Sequence, residues 1–266
     1  MPALLTEKEG HVLVVTINRP EKKNAVNAEV LCGLSDAWHQ LDRDDELRVA
    51  ILTGAGENFC AGMDLSVINK LTTGKPPEDE YEQRLKDEPS LIFDGWLKTY
   101  RPSKPVIAAV EGYALAGGTE ILQGTDIRVA AEGAQFGVTE VQRGLFPMAG
   151  STVRLPRQIP YTIALEMLIA GTAISAADAK AYGLVGHVVP NGHALAKARD
   201  IAQRIAENGP LAVRAILASV RQTFAMPEKE AFDIEMGIGL PVFGSRDAKE
   251  GPRAFLEKRK PVFEGR

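Results

Sequence analysis

Cysteine is scarce in this 266-residue chain: only Cys32 and Cys60 occur, they form no CxxC pair, and no N-glycosylation sequon is present. A disulfide framework and an oxidised, secreted setting therefore have no support, and the expectation is a reduced cytoplasm. Histidine is scarce as well. His11, His39, His187 and His193 are scattered, none sits in an HExxH frame, and no His/Cys cluster has ligand spacing, which points away from a metalloenzyme. No stretch of about 18 uncharged apolar residues occurs, and Glu7 and Glu9 stand where a signal peptide would need apolar residues, so neither a membrane span nor a signal peptide is expected. Positive charge is not in excess: 31 Lys+Arg against 35 Asp+Glu leave a formal net charge of -4. Nucleic acid and anionic membranes thus meet no basic field, and any phosphate must be held locally. GxSxG, Walker A and GxGxxG are all missing, which removes the usual evidence for serine hydrolases, P-loop enzymes and dinucleotide folds.

What is present is the profile of a globular protein: with 45% hydrophobic and 25% charged residues, the chain is too apolar for disorder and long enough to bury roughly 70 to 75% of its unfolded surface. His11 to Ile17 is a β-branched run that ends at Asn18-Arg19-Pro20, and it predicts a strand. Ala25 to Leu41 has apolar residues at helical spacing (Val30, Leu34, Ala37, Trp38, Leu41). The pattern recurs: Arg48 to Thr53 predicts a second strand, followed by Gly54 and Gly56, and Pro105 to Val110 a third, followed by Gly112 and Gly117-Gly118. Strand, glycine turn, helix is the order of an α/β fold.

Lys70 to Pro89, charged and broken by Gly74, Pro76 and Pro77, reads as a surface insertion placed where it could cover a pocket. Beyond Glu140 few strands are expected. Ser175 to Asp178 looks like a helix cap, Gly186 to Val189 like a brief strand, and helices are predicted over Ala194 to Ala206, Leu211 to Phe224, Glu228 to Ile238 and Pro252 to Lys260. A boundary near residue 195 divides an α/β core from a helical tail whose apolar faces need partners.

Two turns carry candidate chemistry: Phe59 to Leu65 after the second strand, and Leu115 to Ile121 after the third. Both are built of small residues and open a helix, so backbone N–H groups are left unpaired at a positive helix end. If they converge, two amides could hold one oxygen on which negative charge develops. Each turn alone is better read as glycines that let a helix pack closely on a sheet. Glu120 lies in an apolar stretch in the first turn of its helix, and Glu140 closes an extended run that holds no other charge. A carboxylate in apolar surroundings has a raised pKa, and two that share a site raise each other further, which suits acid/base work near neutrality; taken singly, Glu120 is also consistent with a solvated helix cap and Glu140 with a surface loop acid.

These residues, together with Asn18-Arg19-Pro20, Asn24-Ala25, Ala134 to Glu140 and Ile174 to Val185, resemble the enoyl-CoA hydratase/isomerase (crotonase) superfamily, in order and over nearly the whole chain. The resemblance implies an α/β fold, a crotonase-like spiral of ββα units over residues 1–195, with a C-terminal helical trimerisation region over 196–266 that commonly pairs into a hexamer. It implies that the Met63 and Gly117 N–H groups form an oxyanion hole for a thioester carbonyl, and that Glu120 and Glu140 match the two catalytic carboxylates of hydratases. Lys22, Lys23 and Ala25 match the segment that holds the adenine end of CoA, with Ala61, Asp64 and Leu65 beside it; Phe255 and Lys258 match residues that reach CoA, often from a neighbouring subunit. No separate cofactor is implied, because coenzyme A is part of the acyl-CoA substrate. The reaction implied is hydration of a 2-enoyl-CoA in fatty-acid or sterol side-chain β-oxidation; 3,2-enoyl-CoA isomerisation and a non-catalytic acyl-CoA-binding subunit are the alternatives. Phe146 to Thr152 and Arg154 to Pro160 look most like actinobacterial hydratases. One departure stands at the helix N-terminus expected after the second carboxylate, where typical hydratases have Pro-Gly and use the glycine N–H to hold the attacking water: here it is Pro147-Met148, which keeps a backbone N–H and whose side chain is expected to line the acyl pocket.

Overall fold

A computed structural model describes the backbone of residues 1–266 and the side chains of all but residues 71 and 72. The strands are β1 (Leu4–Glu9), β2 (Val12–Ile17), β3 (Val49–Gly54), β4 (Val106–Val110), β5 (Tyr113–Leu115), β6 (Ile127–Ala131), β7 (Gln135–Gly137), β8 (Ile174–Ser175) and β9 (His187–Val189). The helices are α1 (Ala28–Arg43), α2 (Leu65–Thr73), α3 (Glu80–Asp87), α4 (Ser90–Gly95), α5 (Gly117–Gly124), α6 (Ser151–Gln158), α7 (Tyr161–Ile169), α8 (Ala176–Ala181), α9 (Ala194–Ala206), α10 (Pro210–Thr223), α11 (Glu228–Phe243) and α12 (Arg246–Leu256).

The larger sheet has the order β1-β2-β3-β4-β6-β9, with β1 antiparallel to β2 and every later pair parallel. Its central strands are almost wholly apolar because both faces are covered, and the hydroxyl of buried Thr53 is satisfied by Ala109 O at 3.0 Å. Val12, Val14, Val49, Ile51, Ile107 and Ala109 face α9, whose Ala194, Ala198, Ile201, Ala202 and Ala206 stripe completes one core. Leu13, Val15, Ala50, Leu52, Ala108 and Val110 face the opposite way, into the main core with α1. On α1 the buried residues Val30, Leu31, Leu34, Ala37, Trp38 and Leu41 follow the helical period, and the Trp38 indole donates to Gly95 O at 3.1 Å.

A second layer crosses over the turns. β5, β7 and β8 form a small sheet, and single bridges from Cys60 to Ala114 and from Val26 to Met63 extend it. After β2, β3, β4 and β6 the chain drops into this layer before the next helix, which is the ββα spiral. The layer therefore lines up Cys60, Ala114, Phe136 and Ile174 in one row.

The expected strands and α1 are present within a few residues of their expected ends. Lys70 to Pro89 differs from a plain insertion, with residues 71 and 72 outside the described side chains: it holds α3, capped by Asp79, tethered to α1 through Arg84 and Asp36 at 2.7 Å and anchored by buried Leu85. The Ser175 cap is present, its Oγ accepting from Asp178 N at 3.1 Å. α11 runs on through Pro241, and α12 starts at Arg246 and runs through Pro252. A proline removes one helical donor but does not always end a helix, and here Ser245 caps α12 from an earlier start.

The boundary expected at 195 falls inside α9, whose inner face belongs to the α/β core. The helices without buried residues are α10 and α11.

Candidate active site

The two small-residue turns pack directly on each other. A Cβ added at Gly118 would lie 2.2 Å from Cys60 O, and one at Gly62, where φ is +98°, would lie 2.8 Å from Ala116 Cβ and 3.1 Å from Gly117 N. Cys60 N donates to Tyr113 O at 2.9 Å and Leu115 N to Cys60 O at 3.0 Å, which fixes the register between the turns. Ala116, with φ +49° and ψ −126°, is a strained non-glycine residue at the start of α5. Met63 N and Gly117 N find no acceptor among the described residues, so two backbone donors are left free where the turns meet.

Glu120 follows one turn into α5 and is 4% exposed. Its carboxylate accepts from Ser151 N at 3.0 Å, and also from Ala149 N and the Ser151 hydroxyl, so the residues that lead into α6 hold it. Gln123 Nε2 in turn donates to Ser151 Oγ at 2.9 Å. Glu140 does not close an extended run but opens a short 3-10 turn (Glu140–Arg143) after β7, and it reaches the Glu120 carboxyl within hydrogen-bonding distance. Burial raises the pKa of both carboxyls; for Glu140 the neighbouring Glu120 charge adds to it, and its pKa is pushed up to about 7. Glu140 Oε2 is buried and takes no donor from other described residues. Donors thus converge on Glu120 and none on Glu140 Oε2, so the pair holds its first proton on Glu140.

Both carboxyls and both turns open into one cavity of about 730 Å³. At its outer end the loop after β2 is locked by fully buried Asn24, whose side chain accepts from Arg19 N at 2.9 Å and donates to Ala55 O at 2.9 Å. Lys22, Lys23 and Ala25 of this loop line the cavity together with Ala61, Met63, Asp64 and Leu65. Asp64 caps α2 and pairs with Arg19 at 3.0 Å, while Lys23 Nζ lies 4.9 Å above the Tyr113 ring. The inner end is apolar, bounded by Ile92, Phe93 and Trp96 from α4 and the turn after it, and by Leu145, Phe146 and Met148.

A model of the enoyl-CoA hydratase/isomerase family matches residues 7–266. The chain belongs to this family. It is 56% identical over 265 residues to the enoyl-CoA hydratase EchA19 of Mycobacterium tuberculosis, a match that covers 100% of this chain and 97% of that protein. It is 38% identical over 264 residues to a carnitinyl-CoA dehydratase of Salmonella enteritidis, covering 97% of each. The crystal structure of the enoyl-CoA hydratase EchA1 from Mycobacterium marinum superposes with a TM-score of 0.89 at 44% identity, covering 100% of both chains. The chain is thus an enzyme of the hydratase/isomerase family with its crotonase fold.

Within this enzyme the residues expected in the site converge on the cavity, except Phe255 and Lys258. Those two lie on and just after α12, outside their own chain's cavity, and Phe255 is 82% exposed. Met148 lines the cavity as expected but does not stand at a helix N-terminus: α6 starts at Ser151 after Gly150, where φ is +121°. The N–H groups turned to Glu120 are those of Ala149 and Ser151. Sequence reasoning missed these two because they act through the backbone. It also missed Ile92, Phe93 and Trp96, although their apolar cluster directly after a charged stretch was the available signal.

Proposed function

We propose that this enzyme adds water across the 2,3 double bond of a 2-enoyl-CoA to give a 3-hydroxyacyl-CoA. The observation that carries the reading is the buried Glu120–Glu140 pair beside two free backbone donors. The thioester oxygen sits between Met63 N–H and Gly117 N–H, which stabilise the negative charge that builds there as the β-carbon is attacked. Glu120, held as a carboxylate by the α6 entry, takes a proton from water while the water oxygen bonds to the β-carbon. Glu140 gives its proton to the α-carbon. The Glu120 proton then returns to Glu140 across the hydrogen bond between them, and the pair is reset. No separate cofactor enters these steps.

Lys22, Lys23, Ala25, Ala61, Asp64 and Leu65 hold the CoA portion, with Lys22 and Lys23 as local cations for its phosphates. Phe255 and Lys258 reach CoA from a neighbouring subunit. The tail beyond residue 195, above all α10 and α11, assembles a homotrimer or a hexamer; Ile216, Phe224, Phe232, Met236 and Leu240 are exposed in the single chain and support this. Among the described residues no helix is long and apolar enough to cross a membrane, and the setting proposed is the cytoplasm, in fatty-acid or sterol side-chain oxidation.

Incubation with crotonyl-CoA in ¹⁸O-labelled D₂O tests the reading. The expected product carries ¹⁸O on the β-carbon and deuterium on the α-carbon. Migration of a double bond in a 3-enoyl-CoA with no ¹⁸O uptake by either substrate would establish the isomerase instead, and tight binding without conversion of either would establish a non-catalytic subunit.

A further inference from the structure

The turn that closes α4 has an unusual cap. Lys98 N donates to Phe93 O and Leu97 N to Asp94 O, both at 2.9 Å, the paired bonds of a Schellman ending. Such an ending usually places glycine in the left-handed position; here fully buried Leu97 occupies it, with φ +54°. A β-carbon in that region is strained and persists only where surrounding contacts over-determine it. Those contacts come from α6 and from the segment before it, which lines the cavity. Arg154 of α6 donates to Leu97 O, and Lys98 Nζ reaches across to Met148 O at 2.5 Å while lying 4.5 Å above the Phe93 ring. Phe93 and Met148 belong to the two apolar walls of the cavity's inner end. Lys98 therefore grips one residue from each wall.

We propose that Lys98 is a specificity-determining residue: its ammonium ties the Leu145–Met148 wall to the Ile92–Trp96 wall and so sets the width of the space left for the acyl chain. The inference rests on the acyl-CoA reading above. A charge-assisted bond to a carbonyl and a cation over a ring face hold the walls at one spacing. Without them the Met148 segment moves outward, because Phe146 and Met148 are themselves largely exposed. A narrow, tied end favours short acyl groups over long or bulky ones.

The test uses the intact enzyme with Lys98→Met, which keeps the stem and loses the donor, and Lys98→Arg, which keeps a donor and the charge. For each, kcat/KM is measured with crotonyl-CoA and with hexadecenoyl-CoA, and Kd with the saturated butyryl- and palmitoyl-CoA. Lys98→Met is expected to raise the long-to-short ratio roughly threefold to tenfold in both readouts, and Lys98→Arg to stay near the wild-type ratio. An unchanged ratio, a parallel loss on both chain lengths, or a shift toward short chains would overturn the proposal. If the wild type binds acyl-CoA but hydrates neither substrate, the hydratase reading fails while the Kd ratio still decides the role of Lys98.

Discussion

The floor of the cavity and the C-terminal helical hairpin are built on opposite principles. Around Glu120 every residue of α5 is buried, and the Glu120 carboxylate is partnered within the chain by Ser151 and Ala149, with Gln123 donating to the Ser151 hydroxyl. Along α10 and α11 no residue is buried, and large apolar side chains such as Phe232 and Met236 face outward. A buried carboxylate is tolerated where its neighbours supply donors, whereas an apolar helix face without neighbours calls for another molecule. Of the residues proposed to catalyse or to hold CoA, only Phe255 and Lys258 lie outside the chain's own cavity.

The largest expected effect tests the floor. Glu120→Gln and Glu140→Gln should each lower kcat for crotonyl-CoA hydration on the order of a hundredfold or more while leaving the circular dichroism spectrum unchanged, because one lost acid/base group typically costs about 10² to 10⁴. Wild-type turnover in either variant would remove the two-carboxylate mechanism.

The hairpin is tested by charge. Phe232→Glu with Met236→Glu should convert a trimer or hexamer into a monomer by light scattering, since each exposed side chain, once covered, contributes roughly 1.5 to 3 kcal/mol. The same variant should bind CoA more weakly if Phe255 and Lys258 act across subunits. A wild type that is a stable, fully active monomer at micromolar concentration would break the comparison.

A smaller effect concerns stability against pH. The Glu140 pKa is raised above its unfolded value, so its neutral form favours the folded state at low pH, and that contribution is lost as pH rises from about 4.5 through about 7. Glu140→Gln should therefore melt higher than the wild type at about pH 8, by roughly 1 to 3 kcal/mol of stability, and match it near about pH 4.5. An equal gap at both pH values would mean that the carboxyl is not perturbed by burial.

The smallest effect is on specificity. Met148→Gly should retain hydration of a short enoyl-CoA and change the kcat/KM ratio between short and bulky acyl chains by roughly 1 to 3 kcal/mol of discrimination. An unchanged ratio would place the thioether outside the acyl path.

Much of this arrangement was legible in the sequence because parallel strands covered on both faces leave long apolar runs, as in Val12 to Ile17 and Val106 to Val110. The two turns were legible from small residues that only close packing explains, and Glu120 and Glu140 from charges set in apolar surroundings. The second layer was not. β5, β7 and β8 are two or three residues long, too short for any period to register, and they are defined by pairing partners far away in sequence. Leu4–Glu9 was missed because four of its residues face solvent and its sequence is mostly polar. The helix expected to start at Pro252 starts at Arg246, because Ser245 caps it and Pro252 is accommodated inside.

The central claim is that the two carboxyls hold a single proton near neutral pH. Infrared difference spectroscopy of the free enzyme reads it directly through the carbonyl stretch of a protonated carboxyl. The band is predicted to persist at about pH 6, to fade as pH rises through about 7, and to be missing from Glu140→Gln over that range. Full ionisation of both carboxyls already at about pH 5.5, with no protonated band above it, would contradict the account.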